Sequence, residues 1–297
     1  MHWLTDPIFD YRFFRIGLVA GVVGGALCGF VGVYVVLRRM SYIGHGLAHA
    51  ILGGAAVSAV VGFNILAGAG AWGLLSAMLI SGVSRRRKIG ADAAIGVITT
   101  AFFALGVLLI NSAHIGVSLD SLLFGDILGI TAGQIWVLLG VSALTAGIVF
   151  LRYRQLLFVT FDPEAADAYG ISSRWVDSLF AVILAATIVA TLRSLGVTLI
   201  AATIVFPAVI ARLLTDSFAK MLLFSTVIGA VAGAAGMYVS FYVESTSVAP
   251  GPAIVLILAV VFAVVYVVTG FSSRRRLQVL EGADGHAAHV PGAIELD

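Results

Sequence analysis

The chain is poor in charge and in the residues of covalent and phosphate chemistry. Only 11% of its 297 residues are charged, against about 25% in a soluble domain. The only lysines are Lys88 and Lys220. Neither closes a G-x-x-x-x-G-K-[ST] run, so a phosphate-binding loop with its lysine is excluded. The chain does not hydrolyse ATP by itself. A single cysteine, Cys28, excludes an internal disulfide and any C-x-x-C centre. Neither G-x-S-x-G nor H-E-x-x-H occurs, so those two catalytic arrangements are missing as well. No enzyme activity, no permanently bound cofactor and no nucleic-acid partner is expected.

What the chain has is apolar length. Hydrophobic residues make up 61% of it. Runs long enough to cross a bilayer recur near residues 14–37, 43–62, 64–83, 92–111, 133–151, 175–193, 196–214, 219–242 and 252–270. They predict an all-α polytopic membrane protein of eight to nine transmembrane helices. Only LRSLG parts the 175–193 run from the 196–214 run. A shorter piece, SLLFGDILGIT from Ser121, reads as re-entrant or interfacial. Residues 1–12 mix aromatic and charged groups, as an interfacial segment does. The expected layout is this segment, a transmembrane domain over 13–271, and a polar tail over 272–297.

Charge placement orients the spans. With nine of them, 14 of the 17 basic residues fall on one side, and only Arg12, Arg15 and Arg193 fall on the other. Basic loops stay in the cytoplasm. The expected site is therefore the cell membrane, multi-pass, with the N-terminus outside and the C-terminus cytoplasmic.

Polar groups inside such runs are few, and each asks for a reason. His45 and His49 in GHGLAHAILGG are one helical turn apart and share a face. Neutral imidazole binds zinc, iron, nickel or copper well and magnesium or calcium poorly. The alternative is that each ring hydrogen-bonds a carbonyl and only holds helices together. Two imidazoles do not complete a tetrahedral site. Asp126 in LLFGDILG is the carboxylate best placed to help, and His114 in the outer loop NSAHIGVSLD could meet an arriving ion. Asp120 and Glu244 read as loop or capping groups, and His286 and His289 as parts of a solvated tail. Gly17, Gly21, Gly25 and Gly29 recur every four residues. That stripe lets another helix backbone come close, which is packing rather than chemistry. Two cytoplasmic segments, from Arg152 and from Pro207, carry charges among apolar residues, as a docking surface or an interfacial helix would.

Six stretches taken in order make a resemblance specific. They are VLRRMSYIGHGLAHAILGG, ADAAIGVITTAFFALGVLL, DSLLFGDILGI, VTFDPEAADAYGI, GVTLIAATIVFPAVIARLL and PGPAIVL. The chain resembles the membrane-spanning permease family of bacterial and archaeal ABC importers for zinc, manganese and iron, from about Phe13 to Phe271. The resemblance implies the helical membrane fold of vitamin B12-type importers, with fewer helices. It implies a second copy of the chain, cytoplasmic ABC ATPase subunits and an extracytoplasmic metal-binding protein, with a divalent metal ion as cargo. It puts the coupling to the ATPase after Pro207, on Arg212, Thr215, Asp216 and Lys220, with FDPEAADAYG beside it. The family usually reads G-D-A-L-S-H-A where this chain reads GHGLAHA. His49 matches the family histidine, whereas His45 replaces an aspartate and Ala48 a serine. Exchanging a hard anionic oxygen for an imidazole nitrogen favours zinc over manganese or iron. Two alternatives remain: a permease of the same type for a metal chelate or vitamin, and a secondary metal transporter driven by an ion gradient.

Overall fold

Lipid offers the backbone no hydrogen-bond partners, so an apolar run must close its bonds within itself. The computed structural model describes residues 11–84, 91–113, 125, 127, 129–242 and 249–287, and every regular element among them is an α-helix. In chain order these are α1 (Arg12–Leu37), α2 (Ser41–Val61), α3 (Ile65–Ser84), α4 (Ala91–Ala113), α5 (Ala132–Leu151), α6 (Tyr153–Phe161), α7 (Pro163–Ala168), α8 (Ser173–Leu195), α9 (Val197–Leu214), α10 (Phe218–Tyr242) and α11 (Pro250–Ala287).

Among the described residues, seven helices are long and apolar enough to cross a membrane. These are α1, α2, α5, α8, α9, α10 and the Pro250–Gly270 part of α11. The sequence expectation is eight to nine. The 64–83 and 92–111 runs also form helices, α3 and α4, of 20 and 23 residues. The separation of α8 from α9 is tighter than LRSLG suggested. Gly196 alone ends one helix and begins the next, at φ 77° and ψ 154°. That left-handed φ strains any residue with a Cβ. At the C-terminal end, α11 runs on through Arg274–Arg276 to Ala287, so helix replaces most of the expected tail.

The bundle is organised around α1, which packs on α10, α9 and α8. The glycine stripe faces α10. A Cβ on Gly21 would lie 2.9 Å from the carbonyl oxygen of Gly233, and Gly25 and Gly29 meet the carbonyls of Gly229 and Ser225 in the same way. Gly17 lies against Met237. The pairing numbers rise on one helix as they fall on the other, so α1 and α10 are antiparallel. Ser225 Oγ donates across this seam to the Gly29 carbonyl at 2.6 Å. Of the SLLFGDILGIT piece, Gly125 abuts the Gly196 turn and buried Ile127 sits against Gly17 and Gly21. The second group, α2 with α3 and α4, joins the bundle chiefly where α2 packs on α9 and α3 on α8.

Candidate functional site

The histidine helix starts after a three-residue turn. Arg38, Arg39 and Met40 link α1 to α2, and Arg39 sits at φ 56°, the left-handed region. Because α2 is helical from Ser41, His49 lies about 12 Å along the axis at 1.5 Å per residue.

The two imidazoles are neighbours. Their ring centroids are 4.5 Å apart, edge to face. His49 also meets the Phe103 ring of α4 at 4.9 Å, and His45 meets Tyr42 at 5.7 Å. Both histidines are half-buried. His49 Nδ1 is buried and has no hydrogen-bond partner among the described residues. An unsatisfied buried polar atom costs about 1–3 kcal/mol, which a bound ligand would offset. The carbonyl-bonded arrangement that would make the ring purely structural is not formed at this nitrogen.

Close approach of α4 sets that geometry. A Cβ on Gly46 would fall 2.6 Å from Ile95 Cγ2 and 2.7 Å from Thr99 Cγ2, and Gly53 presses on the Phe102 carbonyl. Gly46 stands where the family motif has alanine, so here α4 sits where an alanine methyl would otherwise lie. Ala48, the serine position of the motif, is fully buried. No group of three or more His, Cys, Asp or Glu side chains converges among the described residues. Among the described residues the pair supplies two ligands, short of a tetrahedral set. Asp126 and His114 lie outside the described residues, as do Asp120, Glu244 and His289.

One residue that the sequence presented only as a cytoplasmic charge turns out to be built in. Arg38, its side chain 8% exposed, donates from Nη1 to Asp177 at 2.9 Å and from Nε to Thr160 at 3.1 Å. Its guanidinium lies 4.6 Å from the centre of the Phe180 ring. Burial lowers its pKa, and the Asp177 carboxylate beside it opposes that shift. The turn before the histidine helix is thereby fastened to α6 and α8.

The segment that the resemblance gave to coupling is the join between two long helices. Pro207 is buried inside α9, and Arg212 is in that helix's last turn, paired with Asp216 at 3.2 Å. Thr215 caps α9, and Lys220 already belongs to α10. No separate helix forms between them. The short helices are instead α6 and α7, in the other segment. Asp162 accepts from the Ala165 N–H at 2.9 Å, with Pro163 in the first turn. Asp167 accepts from both the N–H and the hydroxyl of Ser173, at 2.8 Å each. These bonds hold Phe161 and Tyr169 outward, 64% and 80% exposed. Tyr153 of α6 meets Phe218 of α10 at 5.6 Å, so the two segments touch.

The comparisons with known proteins agree with this architecture. The ABC 3 transport family matches residues 10–269. The chain is 32% identical over 261 residues to the manganese transport system membrane protein MntC of Listeria innocua, covering 88% of this chain and 92% of that protein. It is 34% identical over 259 residues to the chelated iron transport system membrane protein YfeC of Yersinia pestis, with 87% of each chain covered. Among solved structures, PsaBC of Streptococcus pneumoniae in complex with Fab aligns with a TM-score of 0.79 at 32% identity, over 88% of this chain and 94% of that one. An inward-facing ABC transporter described as of metal-chelate type aligns with a TM-score of 0.68 at 20% identity, over 88% and 87%, a likeness of fold alone. Fold, coverage and identity together establish that this chain belongs to the ABC 3 transport family.

Proposed function

We propose that the chain is the membrane-spanning subunit of an ATP-driven importer for a divalent transition metal, and that the ion passes His45 and His49. The observation that carries this reading is the pair of touching imidazoles, one with a buried, unpartnered Nδ1. Relatives named for manganese and chelated-iron transport support a metal cargo. Two imidazoles without a described carboxylate favour zinc at this step. Manganese is the second reading, favoured by the printed names of several relatives. Passage requires that the pair bind the ion weakly enough to release it. A third ligand comes from Asp126, from water or from a second copy of the chain facing the α2–α4 side.

In this reading a metal-binding protein delivers the ion from outside, where the N-terminus lies, and His114 is near its entry. ATPase subunits bind on the cytoplasmic side, where the C-terminus lies. The pre-shaped, exposed α6–α7 pair is their main seat, with Arg212, Thr215, Asp216 and Lys220 beside it. Arg38 then ties the seat to the histidine helix, so that a push on α6 reaches the start of α2.

The test is competition binding of Zn²⁺, Mn²⁺ and Fe²⁺ to the purified full chain, against the double variant His45→Ala, His49→Ala, together with uptake in cells by His49→Ala. A zinc-preferring site lost in the double variant, with uptake abolished in the single one, is the expected result. Normal uptake by His49→Ala would return the pair to packing.

A further inference from the structure

Away from the histidines, the molecule carries an open groove of about 1070 Å³. It lies between the end of α5, the start of α6, α10 and one edge of α1, and none of these elements carries the histidine pair. Its walls are apolar: Phe30 of α1, Phe150 of α5, and Leu222 and Leu223 of α10. The Phe30 and Phe150 rings stand 6.1 Å apart at its upper wall. Its floor changes character abruptly. Arg152 and Arg154, both exposed, line it at the junction of α5 with α6. Arg152 is steadied from outside, 5.1 Å from the centre of the Trp175 ring and 3.4 Å from Gln155 Oε1. No described residue forms an ion pair with Arg154.

We infer that this groove holds one anionic phospholipid, its acyl chains along Phe30, Phe150 and Leu223 and its phosphate on Arg152 and Arg154. Three things select that occupant. The apolar walls belong to helices long and apolar enough to cross a membrane, so acyl chains match them in chemistry. The cationic pair stands at the α5–α6 junction, on the side that the bias of basic residues along the sequence assigns to the cytoplasm, the level of its headgroups. A soluble phosphate would find the arginines but leave the apolar walls uncovered. A zwitterionic lipid would cover the walls but return less to the two guanidinium groups, which favour a phosphate carrying net negative charge. The site adjoins α6, so a bound lipid also steadies the base of the α6–α7 pair. The inference does not depend on which ion is carried.

The experiment is native mass spectrometry of the full chain released from nanodiscs of equal phosphatidylglycerol and phosphatidylcholine, for the wild type, Arg154→Gln and the double variant Arg152→Gln, Arg154→Gln. Retained phosphatidylglycerol over phosphatidylcholine is expected to fall by a factor of about five per arginine removed. Arg154→Gln touches no described partner and keeps the test valid if loss of the Trp175 contact disturbs the double variant. Equal retention of the two lipids by the wild type, or an unchanged preference in Arg154→Gln, overturns the proposal. A second copy seated in the groove is the competing occupant. Cys28 is the only native cysteine and is buried, so Leu223→Cys reports it directly. Efficient disulfide dimers through that position would also overturn the lipid site, and their absence is expected.

Discussion

Arg38 begins the short turn before α2 and His49 lies about two helical turns inside α2; both are polar within a greasy chain, and their surroundings differ. Arg38 is 8% exposed on its side chain and meets a carboxylate, a hydroxyl and an aromatic face. Only its Nη2 is left without a partner. His49 is half-buried, touches other rings, and its buried Nδ1 has no hydrogen-bond partner among the described residues. A polar group kept for structure has most of its bonds made by the fold, as Arg38 has at Nη1 and Nε, because each open one is costly. A polar group kept for a transient ligand has to leave one open. The contrast separates the residue that holds the histidine helix in position from the residues that use that position.

The largest effect should come from breaking the completed side. Arg38→Ala removes the link from the α1–α2 turn to α6 and α8, with its bonds to Asp177 and Thr160 and its stacking on Phe180. Because Asp177 is 37% exposed, the expected loss is about 1.5–3 kcal/mol, the range for hydrogen bonds to a charged group. Arg38→Lys keeps the charge but not the planar fork that reaches Asp177 and Thr160 together while stacking on Phe180, so it should fall between. Thermal unfolding of the purified variants in detergent checks the order. His49→Ala should shift the midpoint far less than Arg38→Ala. Equal shifts for the two would erase the distinction.

The sequence disclosed these two residues unequally. The histidines stood out because imidazole in an apolar run has no ready explanation, and their shared helical face follows from spacing alone. Arg38 was hidden because the bias of basic residues toward one side already accounted for it. Its partners are 122 and 139 residues away along the chain, and only tertiary packing brings them together. The glycine stripe was half legible. Its period announced that a backbone comes close to α1, but not that the partner is α10 or that the two run antiparallel. Helix positions were read well, because run length maps directly onto them.

A middle-sized effect should sharpen the open side. His45→Asp restores the carboxylate that the family motif has and places it beside His49, which still offers one imidazole. Oxygen donors suit manganese better than a second imidazole does. The Mn²⁺ to Zn²⁺ affinity ratio of the full chain should rise by about tenfold, or about 1.4 kcal/mol, with thermal stability near wild type. Competition binding reads the ratio. An unchanged preference would mean that position 45 does not touch the ion, and the specificity argument from its imidazole would fall.

The smallest effect on the fold should come from a third kind of polar contact, one neither enclosed nor left open. Arg212 and Asp216 pair at 3.2 Å with 47% and 97% of their side chains exposed. Such pairs contribute about 0–1 kcal/mol, so Arg212→Ala should leave the unfolding midpoint close to wild type. Its value lies in a second readout. If the α6–α7 pair is the main seat of the ATPase, Tyr169→Ala should reduce ATP-driven metal uptake more than Arg212→Ala does, although neither side chain supports the core. Phe158 meets the Tyr169 ring at 5.9 Å, so removing that ring changes an exposed face without opening a buried one. Uptake by the assembled transporter, measured alongside its ATP hydrolysis, distinguishes the two segments. Hydrolysis without uptake in Arg212→Ala, together with normal coupling in Tyr169→Ala, would move the seat to the α9–α10 turn. The tie from Arg38 through Thr160 to α6 would then have to be read as a brace and not as a route for motion.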